Sequence, residues 1–329
     1  MKKHSFHLKF KQMAKHIQKR EANLQETAEE PFFPLACKAI NVQASVRAKS
    51  TIDNYRTALR SFTKYTGDSM PVSHINTHLL EGYQQWLLSH RVSLNTISCY
   101  MRSLSALIHI VSPDVNTHSL FGKVFTGKTR TDKRSIDSHE AGKLRLLSLP
   151  RGSAGAFWRD IFMFSLYALG MPFVDIAFLH KKQIANGYIV YARHKTGQRI
   201  RIKIEPPMQQ IIDRYTSDDS PYVFPILDDN DKVPLIRQYE SARTRYNRHL
   251  KKLGEQSGVQ RVLTSYVARH SWASIAYHAN IELSVISKAL GHTSPNTTLT
   301  YIREIDDTRI DVANNLLVNE LLLQGNNKK

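Results

Sequence analysis

Leu290-Gly291-His292-Thr293-Ser294-Pro295-Asn296-Thr297-Thr298-Leu299-Thr300-Tyr301 sets an imidazole directly after a helix stop and a phenol nine residues further on. Leu283, Ile286 and Leu290 recur at helical spacing ahead of it, and Gly291 is the residue type that ends a helix in the left-handed conformation. His292 is therefore predicted to leave a fixed helix end. The chain around this stretch has 329 residues, with 46 Lys and Arg against 28 Asp and Glu, a formal net charge of +18. Such an excess cannot be neutralised internally, and a polyanion is the natural partner.

A hydrophobic content of 41% supports two modest domains with their own cores. Cys37 and Cys99 are the only cysteines, without CxxC or zinc-type Cys/His spacing, which points to a reducing compartment and no structural metal. No run approaches the ~20 apolar residues of a membrane span. The basic N-terminus lacks the apolar stretch of a secretory signal. A cytoplasmic, nucleoid-associated protein fits these exclusions.

The organisation follows from composition and periodicity. Residues 1–33 read as a basic arm, either mobile or one loosely attached helix. Residues 34–115 read as an all-helical module. Its first helix lies around 34–46. The next has Thr51 as N-cap, Ile52, Tyr55, Leu59 and Phe62 on one face, and Gly67 as its stop. A third starts at Thr77 with Leu80, Tyr83, Trp86 and Leu87. A fourth starts near Asn95 with Ile97, Tyr100, Leu104, Leu107, Ile108 and Val111, closed by Pro113. Arg56, Arg60 and Arg102, with Arg47, Lys49, Lys64 and Arg91, give this module a cationic face suited to DNA. Residues 116–134 read as a linker, in which Lys128 and Arg130 run close to phosphate.

Residues 135–320 read as a second domain, leaving 321–329 as a tail. A helix starts at Ser138-His139-Glu140-Ala141. Residues 157–169 are apolar nearly all round, which predicts a central helix ended by Gly170. Tyr188–Arg193 and Arg199–Ile204 flank His194-Lys195-Thr196-Gly197-Gln198 as a hairpin, with Ile200, Ile202 and Ile204 on one face and Arg199, Arg201 and Lys203 on the other. Pro206-Pro207 ends it. A helix over 235–253, stopped by Gly254, carries Arg243 and Arg245 among further DNA-facing cations. The expected class is mainly α with one small antiparallel sheet.

Four pieces carry chemistry. Thr264 or Ser265 can cap a helix whose apolar face is Trp272, Ile275, Ala276 and Ala279, leaving Arg269 near the helix start, where exposed N–H groups already favour an anion. A guanidinium there can grip phosphate by two parallel hydrogen bonds. His292 is the second piece. Tyr301 is the third, a phenol that needs cations and a proton acceptor to become a nucleophile. Lys195 at the hairpin tip is the fourth, an ammonium able to protonate a leaving alkoxide. A phenol, an imidazole and an excess of cations are what metal-free attack on a phosphodiester requires.

Together these pieces resemble the tyrosine recombinase (phage integrase) family over about residues 45–320. The most specific parts are Ala268-Arg269-His270-Ser271-Trp272-Ala273 and Leu290-Gly291-His292 through Tyr301. The resemblance implies a helical, SAM-like core-binding domain followed by a catalytic domain of the DNA breaking-rejoining fold. It implies that Tyr301 forms a 3′-phosphotyrosine, that Arg269 and His292 hold the scissile phosphate, and that Lys195 acts as general acid. Neither ATP nor a metal would be required, so no cofactor is expected. The implied partners are double-stranded DNA and three further copies of the chain, in a tetramer working on two paired sites through a Holliday junction. Ile310, Val312, Ala313, Leu316, Leu317 and Leu321 would form a terminal helix docking on a neighbouring subunit, and accessory DNA-bending proteins are further candidates.

Two departures stand out. The family's first arginine normally follows a Gly-Leu or Gly-Met pair, but Gly170-Met171-Pro172-Phe173-Val174-Asp175 puts Pro172 there while Asp175 keeps the acid. Loss of one positioned phosphate donor typically costs ~3 kcal/mol, about 100-fold in rate. Some members from Bacteroides-like bacteria resemble this chain in lacking that arginine. Arg193 or Arg199 near the hairpin is the expected substitute. The second departure is Tyr266, where the family commonly has a His; a phenol there can bond a phosphate but is a weaker base. A site-specific recombinase of integrase or invertase type is the leading reading. A catalytically weakened DNA-binding homologue and a type IB topoisomerase are the alternatives.

Overall fold

The computed structural model describes residues 29–129, 135–292, 295–299 and 314–315. The expectations for the N-terminal arm, Arg130, Tyr301 and the terminal docking helix lie outside the described residues. The chain divides into two compact units, Met1–Thr131 and Asp132–Lys329, each with a separate hydrophobic core.

The first unit is helical: α1 (Phe32–Gln43), α2 (Lys49–Thr66), α3 (Thr77–Ser89), α4 (Leu94–Val111) and the short α5 (Thr117–Leu120). Ile52, Tyr55, Leu59 and Phe62 of α2 are buried and meet Leu80, Tyr83, Leu87, Ile97 and Leu104 in one cluster. Asn76 caps α3 by accepting from the Leu79 N–H, and Ser93 caps α4 by accepting from Thr96. Thr51 is not a cap. The carbonyl of Ala48 already accepts from the N–H groups of Thr51 and Ile52, so α2 begins at Lys49 without side-chain capping.

The stretch expected to be a bare linker is packed onto this unit as far as it is described. Phe121 and Val124 enter its core. The Phe125 N–H donates to Gln84 Oε1 at 2.7 Å, Ser98 donates to the Gly127 carbonyl at 2.6 Å, and Asn95 exchanges two bonds with the Thr129 backbone. Its lysines drew the polar reading, and its apolar residues decide the structure. Arg56, Arg60, Arg102 and Lys128 are all exposed.

The second unit is mainly helical around one small antiparallel sheet, in agreement with the expected class. Asp137 and Glu140 close a reciprocal capping box at the start of α6 (Ser138–Leu146). α7 (Ala154–Tyr167) is the apolar central helix, with Trp158, Ile161, Phe162 and Phe164 buried, and α8 (Phe173–Ala177) follows. The sheet has the order β1 (Ile184–Ala185), β2 (Tyr188–Ala192), β3 (Arg199–Lys203). Its register sets Tyr191 against Ile200 and Ile189 against Ile202, all facing the core, while Arg199, Arg201 and Lys203 are exposed. β1 is too short to leave an alternation in the sequence.

Four helices complete the described part: α9 (Pro206–Tyr215), α10 (Leu235–Gln256), α11 (Val267–His278) and α12 (Leu283–Leu290), followed by the short α13 (Pro295–Leu299). Pro206-Pro207 does more than end the hairpin. Both occupy the first turn of α9, where a missing N–H costs nothing. Gly254 does not stop α10, which runs on to Gln256. It is buried, and a Cβ there would stand 3.1 Å from the Leu263 side chain, so close packing accounts for the glycine. Neither Thr264 nor Ser265 caps α11. The cap position is held by Tyr266 in helical conformation, with no side-chain capping bond to the first turn, and the Ser265 N–H donates to Asn247. α11 turns Val267, Ala268 and Ala273 inward, whereas Ala279 is exposed. Among the described residues, no helix is long and apolar enough to cross a membrane.

Candidate active site

Two left-handed glycines allow the site to close. After α7, Leu169 and Gly170 both take positive φ, 57° and 67°. A Cβ on Gly170 would lie 2.7 Å from Arg269 Cα. Gly291, with φ 63° at the end of α12, would carry a Cβ only 2.8 Å from both Arg193 Cδ and Ile200 Cδ1. No side chain fits at either point. The turn after α7 therefore meets the backbone at the start of α11, and the end of α12 packs directly on the Arg193 and Ile200 side chains of the hairpin.

Arg269, the third residue of α11, is only 2% exposed. Its Nη1 donates to the Gly170 carbonyl at 3.1 Å. Its Nη2 donates to the Leu290 carbonyl and to His292 Nε2 at 3.1 Å. Arg193 arrives from the end of β2, also buried, and its Nη1 donates to the carbonyls of Leu290 at 2.9 Å and Gly291 at 3.0 Å. Two guanidiniums thus share the carbonyl of Leu290. The open carbonyls at a helix C-terminus carry partial negative charge, which lets two like charges lie side by side.

Asp175 of α8 completes the pair. Its Oδ1 accepts from the His194 N–H at 2.9 Å, and its Oδ2 stands 3.9 Å from Arg193 Nε. Burial pushes its carboxyl up from the ordinary value, while the His194 N–H and then Arg193 oppose the shift. The carboxylate orients Arg193 rather than facing solvent. Pro172 sits at the cap of α8 with φ −60° and no side-chain bond, two residues beyond the carbonyl that holds Arg269.

His292 is pushed down to about 4, by burial first and then by the charges of Arg269, Arg193 and Lys195. It is neutral at pH 7. Its Nδ1 lies 3.0 Å from Thr298 Oγ1. Lys195 is exposed in the turn after β2, where the Arg193 carbonyl accepts from the Thr196 and Gly197 N–H groups. Arg269, His292, Arg193, Asp175 and Lys195 are thus brought to one place. Arg199 is not part of the buried pair; its exposed side chain lies on the outer face of β3. Tyr266 is 45% exposed, with its ring 5.9 Å from that of His270. Arg243 and Arg245 are exposed on α10, Arg243 with its guanidinium 5.7 Å from the Tyr239 ring centroid. Among the described residues, no group of three or more His, Cys, Asp or Glu could hold a metal ion.

The profile of the phage integrase family matches residues 139–307, just over half of the chain. The chain belongs to the phage integrase family. A phage integrase SAM-like domain matches residues 31–110, the helical unit. Among curated relatives, the tyrosine recombinase XerC of Rickettsia canadensis (strain McKiel) is 24% identical over 271 residues, covering 77% of this chain and 86% of its own. A lambda integrase tetramer bound to a Holliday junction superposes with a TM-score of 0.65 at 15% identity, covering 87% of this chain and 82% of that one. The Tn1549 transposon integrase in complex with transposon right end DNA gives 0.64 at 13% identity, covering 88% and 99%. These structures establish the fold of this integrase-family chain.

Three contributors to the site were not evident from sequence: the carbonyls of Gly170 and Leu290, and Thr298. The carbonyls carry no sequence signal of their own. Thr298 left a faint one, six residues after His292, a separation that a short turn can close.

Proposed function

We propose that this protein is a site-specific DNA recombinase that cuts and rejoins DNA through a 3′-phosphotyrosine at Tyr301. The observation that carries the reading is the Arg269–His292 pair, held 3.1 Å apart in an integrase-family chain, nine residues before a tyrosine. A scissile phosphate would draw the Arg269 Nη donors from the carbonyls they now hold. The Tyr301 oxygen attacks phosphorus, the bond to the 5′ oxygen breaks, and Lys195 gives that oxygen a proton. The phenolic proton passes to neutral His292, whose basicity rises as the phosphate anion offsets the three neighbouring cations. The tyrosyl ester conserves the bond energy, so rejoining is the same step reversed, without ATP. Exposed Arg56, Arg60, Arg102, Lys128, Arg243 and Arg245, with Arg130, supply phosphate contacts along the duplex. The lambda integrase dimer on a core site and tetramer on a Holliday junction support an assembly of several copies on DNA, in which the segment from Ile310 to Leu321 would dock between copies.

The test is a supercoiled plasmid carrying two copies of the crossover site from the flanking genome. Recombinant circles in a metal-free buffer without ATP support the reading. Relaxation of plasmids lacking any site would favour a type IB topoisomerase, and binding without cutting would favour a catalytically weakened homologue.

Arg193 is the cation best placed to act for the arginine missing at Pro172, because it shares the Leu290 carbonyl with Arg269 and is oriented by Asp175. Arg193→Lys keeps a charge near Asp175 but loses the planar fork, whose Nη1 holds both carbonyls while its other nitrogens remain to face a phosphate. Single-turnover cleavage at saturating DNA should fall about 10- to 100-fold, whereas Arg199→Ala should change it by no more than about threefold. The opposite order would transfer the role to Arg199.

Lys195→Ala should slow cleavage of ordinary DNA about 100-fold, since general acid catalysis is commonly worth 10²–10⁴. A 5′-bridging sulfur needs no proton to leave, so that substrate should restore the variant to near the wild-type rate. Absence of rescue would reject the general-acid role.

A further inference from the structure

We infer that Thr298 is a positioning residue, whose hydroxyl accepts the Nδ1–H of His292 and, together with Arg269, holds the tautomer that leaves Nε2 as the basic nitrogen of the site. This rests on the recombinase reading, but its geometric basis stands apart from it. The two ring nitrogens of His292 face different groups. Nε2 lies 3.1 Å from an Arg269 nitrogen, and a guanidinium can only donate. Nε2 must therefore accept. A neutral imidazole has one acceptor and one N–H, so the proton belongs on Nδ1, where Thr298 Oγ1 waits at 3.0 Å to accept it.

Thr298 is suited to hold that proton. It is fully buried, at 0% exposure, while its neighbour Thr297 is exposed. Its hydroxyl therefore competes little with water, and a buried N–H left without an acceptor would be costly. With Thr298 in place the Nδ1–H tautomer is fully paired, whereas the other, although the hydroxyl could donate to its Nδ1, would set an Nε2–H against the Arg269 donor. The chain route adds a consequence. Thr298 lies on α13, three residues before Tyr301. The segment that delivers the nucleophile thus also sets the protonation of the histidine that receives its proton. A copy in which α13 were displaced would lose both at once, so cleavage is tied to correct seating of this segment.

The experiment compares Thr298→Val with Thr298→Ser in the full-length protein. Valine keeps the branched shape and removes the acceptor; serine keeps the hydroxyl. The first readout is the nitrogen NMR of ring-labelled His292 at pH 7. Wild type and Thr298→Ser should show a protonated Nδ1 and an unprotonated Nε2, and Thr298→Val, which leaves the Nδ1–H without its acceptor, should weaken that preference. The second readout is single-turnover cleavage of a nicked substrate, expected to fall on the order of 10- to 100-fold in Thr298→Val, the scale of about 1.4–2.7 kcal/mol for one lost buried hydrogen bond, and to stay within about threefold in Thr298→Ser. Duplex affinity should be the same in all three.

A wild-type ring protonated on Nε2, or a Thr298→Val protein with unchanged tautomer and rate, overturns the proposal. Equal damage in both variants would assign Thr298 to packing and overturn it as well. If wild-type protein makes no adduct at all, the recombinase reading fails, while the NMR arm still decides whether Thr298 sets the tautomer.

Discussion

Arg269→Ala is expected to slow DNA cleavage at least about 1,000-fold while leaving duplex affinity within a few-fold of wild type. The asymmetry follows from where the guanidinium sits. Arg269 is 2% exposed and held between the carbonyls of Gly170 and Leu290, so the guanidinium is placed before any phosphate arrives and its Nη donors need only turn from those carbonyls. Removing one such preorganised donor typically costs about 3–4 kcal/mol in the transition state, or 10²–10³ in rate. Here the same side chain also anchors His292, so one truncation disables two groups that act on one phosphate. Affinity is different. It is spread over many exposed cations along the duplex, from α2 to α10, and each contributes a small, salt-screened share. Single-turnover cleavage of a nicked substrate and a salt titration of binding measure the two quantities separately. A melting curve on the variant controls for the Gly170 carbonyl left without the Arg269 donor and the Leu290 carbonyl left to Arg193 alone. A loss of less than tenfold in cleavage by folded protein would remove Arg269 from the site.

Pro172 poses the sharper problem for such a site, since the family pattern places an arginine there. We propose a local remedy. Gly170 keeps the backbone approach to Arg269, Asp175 keeps the acid, and Arg193 reaches from the neighbouring strand to the same carbonyl that Arg269 holds. The guanidinium arrives from β2 rather than from the turn before α8. Charge near the phosphate is preserved although its point of attachment has moved.

Much of the fold was legible because apolar periodicity is read directly from side chains. The stripes on α2, α3 and α4, the wholly apolar α7 and the alternation of Ile200 and Ile202 each translate into a buried face. What misled the reading was local. Gly254 looks like a stop and is a packing site against Leu263. Thr51, Thr264 and Ser265 are good caps by type, but α2 has already begun at Lys49, and ahead of α11 the Val267 N–H is taken by the backbone carbonyl of Thr264. The lysines after Gly122 suggested a solvated connector, whereas Phe121 and Val124 fasten that stretch to the helical unit.

At the site, His292 and Arg269 were evident from motif and spacing, and their approach was implied. The sharing of one carbonyl by two arginines was not. It depends on Gly291 having no Cβ and on a helix terminus with open acceptors, and these are properties of backbone geometry. The choice between Arg193 and Arg199 was likewise hidden. They flank the same turn in sequence, and only the pleat of the hairpin sends one inward and the other to solvent.

The central claim is that the Tyr301 oxygen becomes esterified to the 3′ phosphate of a broken strand. The most direct measurement uses a substrate nicked beside the scissile phosphate, so that the short leaving strand diffuses away and the ester accumulates. Wild-type protein should become covalently joined to DNA, and peptide mapping should place the nucleotide on Tyr301. Tyr301→Phe, which keeps the ring and removes only the oxygen, should give no adduct while binding the same duplex. An adduct of undiminished yield in Tyr301→Phe, or none from wild-type protein on its own crossover site, would contradict the account.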